Sequence, residues 1–239
     1  MKVLVFDVFG DFGHFKTFYT TSSPLSFSFP PPPTVRGMLG AICGVDKADY
    51  LRVFSHRSCQ IAVSIQAPVK KVRMGLNLIN TKGNYWTPVK KGTHEARTQV
   101  RTEFVKDPVY RLYVTHEDEA VFSTLLENVR RHRTVYTLSL GLSELLADFA
   151  YLGTSEAEEV DGEGPVPLHS VLPVSSVRSG GIVIEGEKKY FKERMPLTMT
   201  SDRVIEKYED VIFEAQGRPI KAHVKAYWRL ENDDTIVFF

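Results

Sequence analysis

Hydrophobic and polar positions change their period several times along the chain, and each change predicts an element. Residues 3–9, rich in valine and phenylalanine and broken only by Asp7, predict a buried first strand. A hydroxyl-rich loop follows and ends in four prolines, Pro30 to Pro33, a short stiff polyproline stretch. Thr34 then suits an N-cap, and Val35, Met38, Leu39 and Ile42 recur at helical spacing. The spacing predicts a short amphipathic helix packed on a sheet and closed by Gly44. A second strand is expected over about 58–66, and from 67 to 101 glycine, proline and basic residues interrupt every apolar pattern.

A strand returns at 110–114, and Thr115 with Asp118 predicts a capping-box-like start to a second helix. Phe122, Leu125, Leu126 and Val129 make its apolar stripe, while Arg130, Arg131 and Arg133 suit the negative end of its dipole. Residues 135–153 supply another apolar stretch, expected as a strand beside the turn LGLSE. Strand, helix, strand, basic insertion, strand, helix, strand is the ferredoxin-like order, of class α+β. The expected division is a ferredoxin-like (RAMP- or RRM-like) domain over 1–153, with a basic β-hairpin thumb inserted at about 67–103. Residues 154–167 carry five acids and no base and suggest an exposed acidic linker; 168–239 suggest a small β-rich C-terminal domain.

Composition changes this picture little. The chain has 239 residues, 43% hydrophobic and 25% charged, which is ordinary globular usage. A net charge of +1 carries no information about partners, so any electrostatic signal has to be local. Cys43 and Cys59 lack metal-ligand spacing and read as reduced core thiols. No signal peptide or membrane-length apolar run stands out, which leads to the expectation of a cytoplasmic protein without a membrane partner.

The insertion supplies that local signal. Between residues 67 and 103, eight bases (Lys70, Lys71, Arg73, Lys82, Lys90, Lys91, Arg97 and Arg101) face two acids, Glu95 and Glu103. Asn84, Tyr85 and Trp86 lie among them near an expected hairpin tip. Cations that hold phosphates and rings that stack on bases suit a single strand of nucleic acid better than a merely solvated loop. No HxxxH, DxD, Walker A, GxGxxG, GxSxG or HExxH pattern is present, so neither metal nor cofactor is expected. A metal-independent endoribonuclease can be assembled on paper from His94 with Lys91, or from His14 with Tyr19, and stays an alternative to binding.

The stretches GHFKTFYTTSS and FPPPPTVRGMLGAICG together closely resemble the N-terminal signature of the Cas-five family, RAMP-type subunits of type I CRISPR Cascade complexes. RTEFVKDPVYRLYV at 101–114, YTLSLGLSELLADFAYLG at 136–153 and residues 193–220 are similar to later parts of the family, in the same order. Tyr19, Thr20, Thr21 and the loop after them look most like members from subtype I-B systems. The resemblance implies a non-catalytic subunit that binds and caps the repeat-derived 5′ handle of the CRISPR RNA (crRNA) in antiviral defence. Its implied partners are the crRNA, the Cascade backbone subunit and the large subunit, with target DNA near the PAM in reach. One branch of the family processes pre-crRNA repeats with a tyrosine, a lysine and an adjacent histidine; here Lys91 and His94 are separated by Gly92 and Thr93.

On this resemblance the RNA-binding residues are expected to be His14, Lys16, Tyr19, Thr20, Thr21, Arg36, Gly37, Lys70, Lys71, Arg73, Lys90, Lys91, Arg97 and Arg101. Arg36 and Gly37, at the start of the first helix, suit a phosphate that approaches helix amides. Gly40 is expected instead to allow close helix–sheet packing. Phe12, Phe15 and Phe18 interleave with the loop and suit the core as well as the interface. A third reading makes the chain a scaffold whose basic surfaces meet acidic patches on partner proteins.

Overall fold

Val, Leu and Phe on both faces let a strand be buried between two layers, and this is what residues 2–9 become in the computed structural model. The structure describes residues 1–18, 23–80, 92 and 95–239. In chain order the first half contains β1 (Lys2–Phe9), β2 (Phe12–Gly13), α1 (Pro32–Cys43), α2 (Tyr50–Val53), β3 (Cys59–Ile65), β4 (Lys70–Ile79), β5 (Arg97–Lys106), β6 (Val109–His116) and α3 (Glu119–Arg130). Then come β7 (Asp148–Asp161), β8 (Pro165–Leu168), β9 (Leu172–Pro173), β10 (Val177–Ile182) and β11 (Tyr190–Met199). The chain closes with β12 (Ile205–Glu214), β13 (Ile220–Val224), β14 (Ala226–Leu230) and β15 (Thr235–Ile236). The protein is thus mostly β, with few helices.

The central sheet runs β15-β14-β7-β1-β6-β3, antiparallel throughout. One of its faces carries Leu4, Phe6, Val8, Leu112 and Val114 and packs against Val35, Leu39 and Ile42 of α1 and Phe122, Leu125 and Val129 of α3. The other face carries Val3, Ala62, Tyr113, Ala157, Leu230 and Ile236, which cluster together across the sheet. Three smaller sheets, β2-β5-β4, β11-β12-β9 and β10-β13-β8, extend from this centre. No helix among the described residues is long and apolar enough to cross a membrane.

Both helix starts differ from the expectation. The first helix begins two residues before Thr34: Pro31 is the N-cap and Pro32 and Pro33 occupy the first turn. Proline's fixed φ fits there, and its missing N–H would have had no helical partner anyway. Gly44 ends the helix at φ +74°, as expected. Gly40 packs against α2 rather than a sheet; a Cβ there would lie 2.8 Å from the Tyr50 Cβ. The second long helix is capped by Asp118, whose carboxylate accepts from the N–H groups of Ala120 and Val121 at 2.9 and 3.3 Å. Thr115 cannot cap, because it is paired with Gln60 inside the sheet.

The expected linker is the clearest correction. The strand foreseen within 135–153 starts only at Asp148 and continues to Asp161, through most of the acidic run, and β8 follows. β7 is bonded along both edges, to β1 and to β14, with Ala157 buried and Glu156, Glu158 and Glu159 outward. The acids therefore take exposed positions along a strand, Glu156 and Glu158 on one face and Glu159 on the face of Ala157. Because β14 and β15 join the same sheet as β1, no break in the fold falls at 153. Both cysteines are free, and burial pushes their thiols up to about 12, as suits core residues.

Candidate nucleic-acid interface

Within the basic insertion the described residues form a regular two-stranded antiparallel ribbon, as the expected hairpin requires. β4 and β5 pair continuously from Lys70 opposite Lys106 to Ile79 opposite Arg97. Side chains two apart share a face of a strand, so Lys71 and Arg73 of β4 lie on the same face as Arg97 and Arg101 of β5. Val72, Met74, Leu76, Leu78, Val100 and Phe104 occupy the opposite face, together with Lys70. Phe104 anchors the base of the ribbon: it is buried, with its ring 6.2 Å from Phe12 and 5.6 Å from His14. The expected tip residues Lys82, Asn84, Tyr85, Trp86, Lys90, Lys91 and His94 lie outside the described residues.

The bases on this ribbon have different surroundings. Glu103 is 9% exposed and receives Lys71 at 3.5 Å and Arg73 at 3.4 Å. Lys71 also lies 3.7 Å from Glu193 of β11 and donates to the Ser26 carbonyl at 2.7 Å. Glu193 in turn accepts from the hydroxyl and N–H of Ser28 at 2.7 and 3.1 Å. Lys71 therefore ties the ribbon, the 23–29 loop and β11 together. Its charge is shared with Glu103 and Glu193, although the residue stays on the exposed side of the ribbon. Arg73 keeps most of its side chain in solvent, and Lys70, Arg97 and Arg101 are exposed.

The loop before α1 divides in the same way. His14 is 4% exposed, with Nδ1 2.7 Å from the Glu103 carbonyl, which fixes the proton on Nδ1 in the neutral ring. It is a core residue that seats the ribbon, not a surface contact. Phe15 is buried as well, with its ring 5.9 Å from Tyr110. Lys16 and Phe18 are exposed, while Thr17 between them is buried. Tyr19, Thr20 and Thr21 lie outside the described residues.

Arg36 is also corrected. It is 2% exposed; Nη1 donates to the Leu197 carbonyl of β11 at 2.8 Å, and Nη2 lies 3.4 Å from His56 Nδ1. Burial lowers the pKa of this guanidinium, and its role is to fasten α1 to β11. Gly37, one residue on, faces a cavity of about 320 Å³ lined by Thr34, Tyr50, Thr137, Ser139 and Arg203 among others. A Cβ at Gly37 would meet the Tyr50 ring only at 3.7 and 3.9 Å, so the fold does not require glycine here.

Two features had no signal in the sequence. Glu193, the acid that holds Lys71, is far away along the chain and is brought in by β11. Tyr208 of β12 lies with its ring centroid 4.8 Å from that of Phe18, and Arg194 of β11 sits over it with Cζ 5.1 Å from the centroid. Among the described residues no group of histidine, cysteine or acidic side chains could hold a metal ion. The exposed surface that remains is cationic and aromatic: Lys16, Phe18, Arg73, Arg97 and Arg101.

A family model described as CRISPR-associated protein (Cas_Cas5) matches residues 3–215, well over half of the chain. A crystal structure of a CRISPR protein from Archaeoglobus fulgidus superposes with a TM-score of 0.56 at 16% identity, covering 99% of this chain and 98% of that one. A chain from a structure described as a CRISPR RNA-guided surveillance complex does so with a TM-score of 0.52 at 14% identity, covering 91% of each. At these identities the two structures speak for the fold alone. No curated protein matches the chain by sequence.

Proposed function

The chain belongs to the CRISPR-associated Cas5 family, and from that premise we propose that it is a non-catalytic, cytoplasmic subunit of a type I Cascade complex, holding and capping the 5′ handle of the crRNA. The observation that carries this reading is the one-sided ribbon: Arg73, Arg97 and Arg101 project from the face opposite Val72, Met74 and Leu76. A cationic face of this kind tracks a phosphate backbone without needing a duplex groove. The cavity beside Gly37, with the hydroxyls of Thr34, Tyr50, Thr137 and Ser139, offers partners for phosphate or 2′-OH. We read β7-β1-β6-β3 with α1 and α3 as a ferredoxin-like RAMP domain; four antiparallel strands in this order, with both helices on one face, support that reading. On the same reading the backbone and large subunits of Cascade are its protein partners, with target DNA near the PAM within reach.

The test is to incubate the purified chain in EDTA, at two salt concentrations, with labelled full-repeat RNA, with a handle oligonucleotide and with a scrambled strand. Preference for the handle without cleavage is the expected result. With about five phosphates neutralised, log K falls against log salt with a slope of roughly −3.5. Cleavage at a single phosphate in EDTA would instead make the chain a processing endoribonuclease, with Tyr19, Lys91 and His94 as the residues to replace. Equal and weak binding of every strand would turn the reading toward a protein scaffold.

A further inference from the structure

Building on the RNA-binding reading above, we propose that the exposed ring of Phe18, backed by Tyr208 and Arg194, is a stacking platform for one unpaired base of the bound strand.

The argument begins with exposure. Phe18 is 45% exposed, whereas the preceding Phe15 of the same loop is 3% exposed and part of the core. The exposed part of this ring gains little for the fold, yet the ring is well supported. Its centroid lies 4.8 Å from that of Tyr208 at an interplanar angle of 52°. Tyr208 is held by the β11–β12 pairing opposite Pro196, and the Arg194 guanidinium covers it at 5.1 Å. Arg194 faces Asp210 in the register, but Asp210 pairs with Lys192 at 2.7 Å, and Arg194 has no ion pair among the described residues. Its charge is thus directed onto the aromatic cluster, where cation–π attraction stiffens the support.

The surroundings decide the ligand. Lys16, two residues before Phe18 in the same loop, is exposed as well, so a cation is available along the loop that carries the ring. A ring with Lys16 in its own loop and Arg194 in its support, neither in an ion pair among the described residues, suits a polyanion whose units carry a flat π-face, which is a single-stranded nucleic acid. The cluster joins the N-terminal loop to β11 and β12, so the C-terminal half would take part in holding the strand.

The experiment uses the full chain and handle oligonucleotides carrying 2-aminopurine at successive positions. At one position fluorescence should be quenched on binding to the native chain and to Phe18→Tyr, and restored in Phe18→Leu. Phe18→Leu should also weaken affinity by about 5- to 100-fold, the loss of one stacked base, without altering the salt slope. Arg194→Gln should weaken binding less, and Phe18→Leu, at a half-exposed site, should lower the melting temperature by no more than about 2–4 °C. If the native chain binds the handle but no position responds to Phe18, or Phe18→Leu binds as tightly, the platform is refuted while the RNA-binding reading stands. If the native chain binds no RNA at all, both fall together.

Discussion

Glu214 condenses the chemistry of this fold into one side chain. It is 2% exposed and accepts from the N–H groups of Gln216, Lys189 and Arg218 at 2.8, 3.0 and 3.0 Å, and from Arg218 Nη2 at 3.0 Å. Burial alone would raise its pKa, but these four bonds to the charged form outweigh it and hold the group at about 2, against an ordinary 4.5. A carboxylate depressed in the folded state adds stability above the unfolded value and loses it as pH falls from 4.5 towards 2. Urea titrations should therefore show Glu214→Gln destabilised near neutrality by about 1–3 kcal/mol, with the gap to the native chain closing across that acid range. A constant gap would mean that the carboxylate's charge is irrelevant. Arg36 and His14 teach the converse at the same scale. A base near a helix start and a histidine in a polar loop look like surface contacts in sequence, yet both are spent on backbone carbonyls, of Leu197 and Glu103.

At the scale of elements, the β4–β5 ribbon and the α1–α2 corner each separate two readings. Arg101 and Arg97 share the cationic face, and Lys70 lies on the other. If the ribbon tracks RNA, Arg97→Gln with Arg101→Gln should lower affinity and reduce the magnitude of the salt slope by up to about 0.7 per lost phosphate contact. Lys70→Gln should change either quantity less; equal effects would show that only bulk charge matters. In α1, Gly40→Ala forces a Cβ to within 2.8 Å of Tyr50 and should destabilise by about 1–3 kcal/mol in thermal or urea unfolding. Gly37→Ala meets only ordinary contacts, and helix propensity should make it about 0.5–1 kcal/mol more stable. A loss of RNA affinity in that more stable variant would locate the strand in the cavity beside it.

At the scale of the whole molecule, the two halves are joined through the central sheet and around its edges. β7 pairs with β1 on one side and β14 on the other, Phe239 N–H donates to the Ile61 carbonyl at 3.0 Å, and Val171 N–H to Val63 at 2.8 Å. A chain cut after Gly153 would expose the edges of β7 and β3 and leave Lys71 and Arg36 without their β11 partners. It should not fold cooperatively: circular dichroism melts should be broad, in contrast to one sharp transition for the full chain. A sharp transition for residues 1–153 would show instead an independent N-terminal unit.

Much of this was legible along the chain, because local patterns carry local information. The apolar stripes of α1 and α3, the glycine that ends α1, strands β1, β3 and β6, and the surplus of positive charge in the insertion are properties of neighbouring residues, and the sequence by itself determined them. The alternation of Lys71, Arg73 and Gly75 with Val72, Met74 and Leu76 was also present, though masked as a regular strand by its bases and glycine. The acidic run misled for a physical reason: a strand bonded on both edges can still expose side chains on either face, and a run of exposed acids resembles a linker. Only the tertiary structure decided which cations are engaged and which are available. That depends on partners such as Glu193, Leu197 and Tyr208, which lie far along the chain and come close only when β11 and β12 fold against the loop and α1.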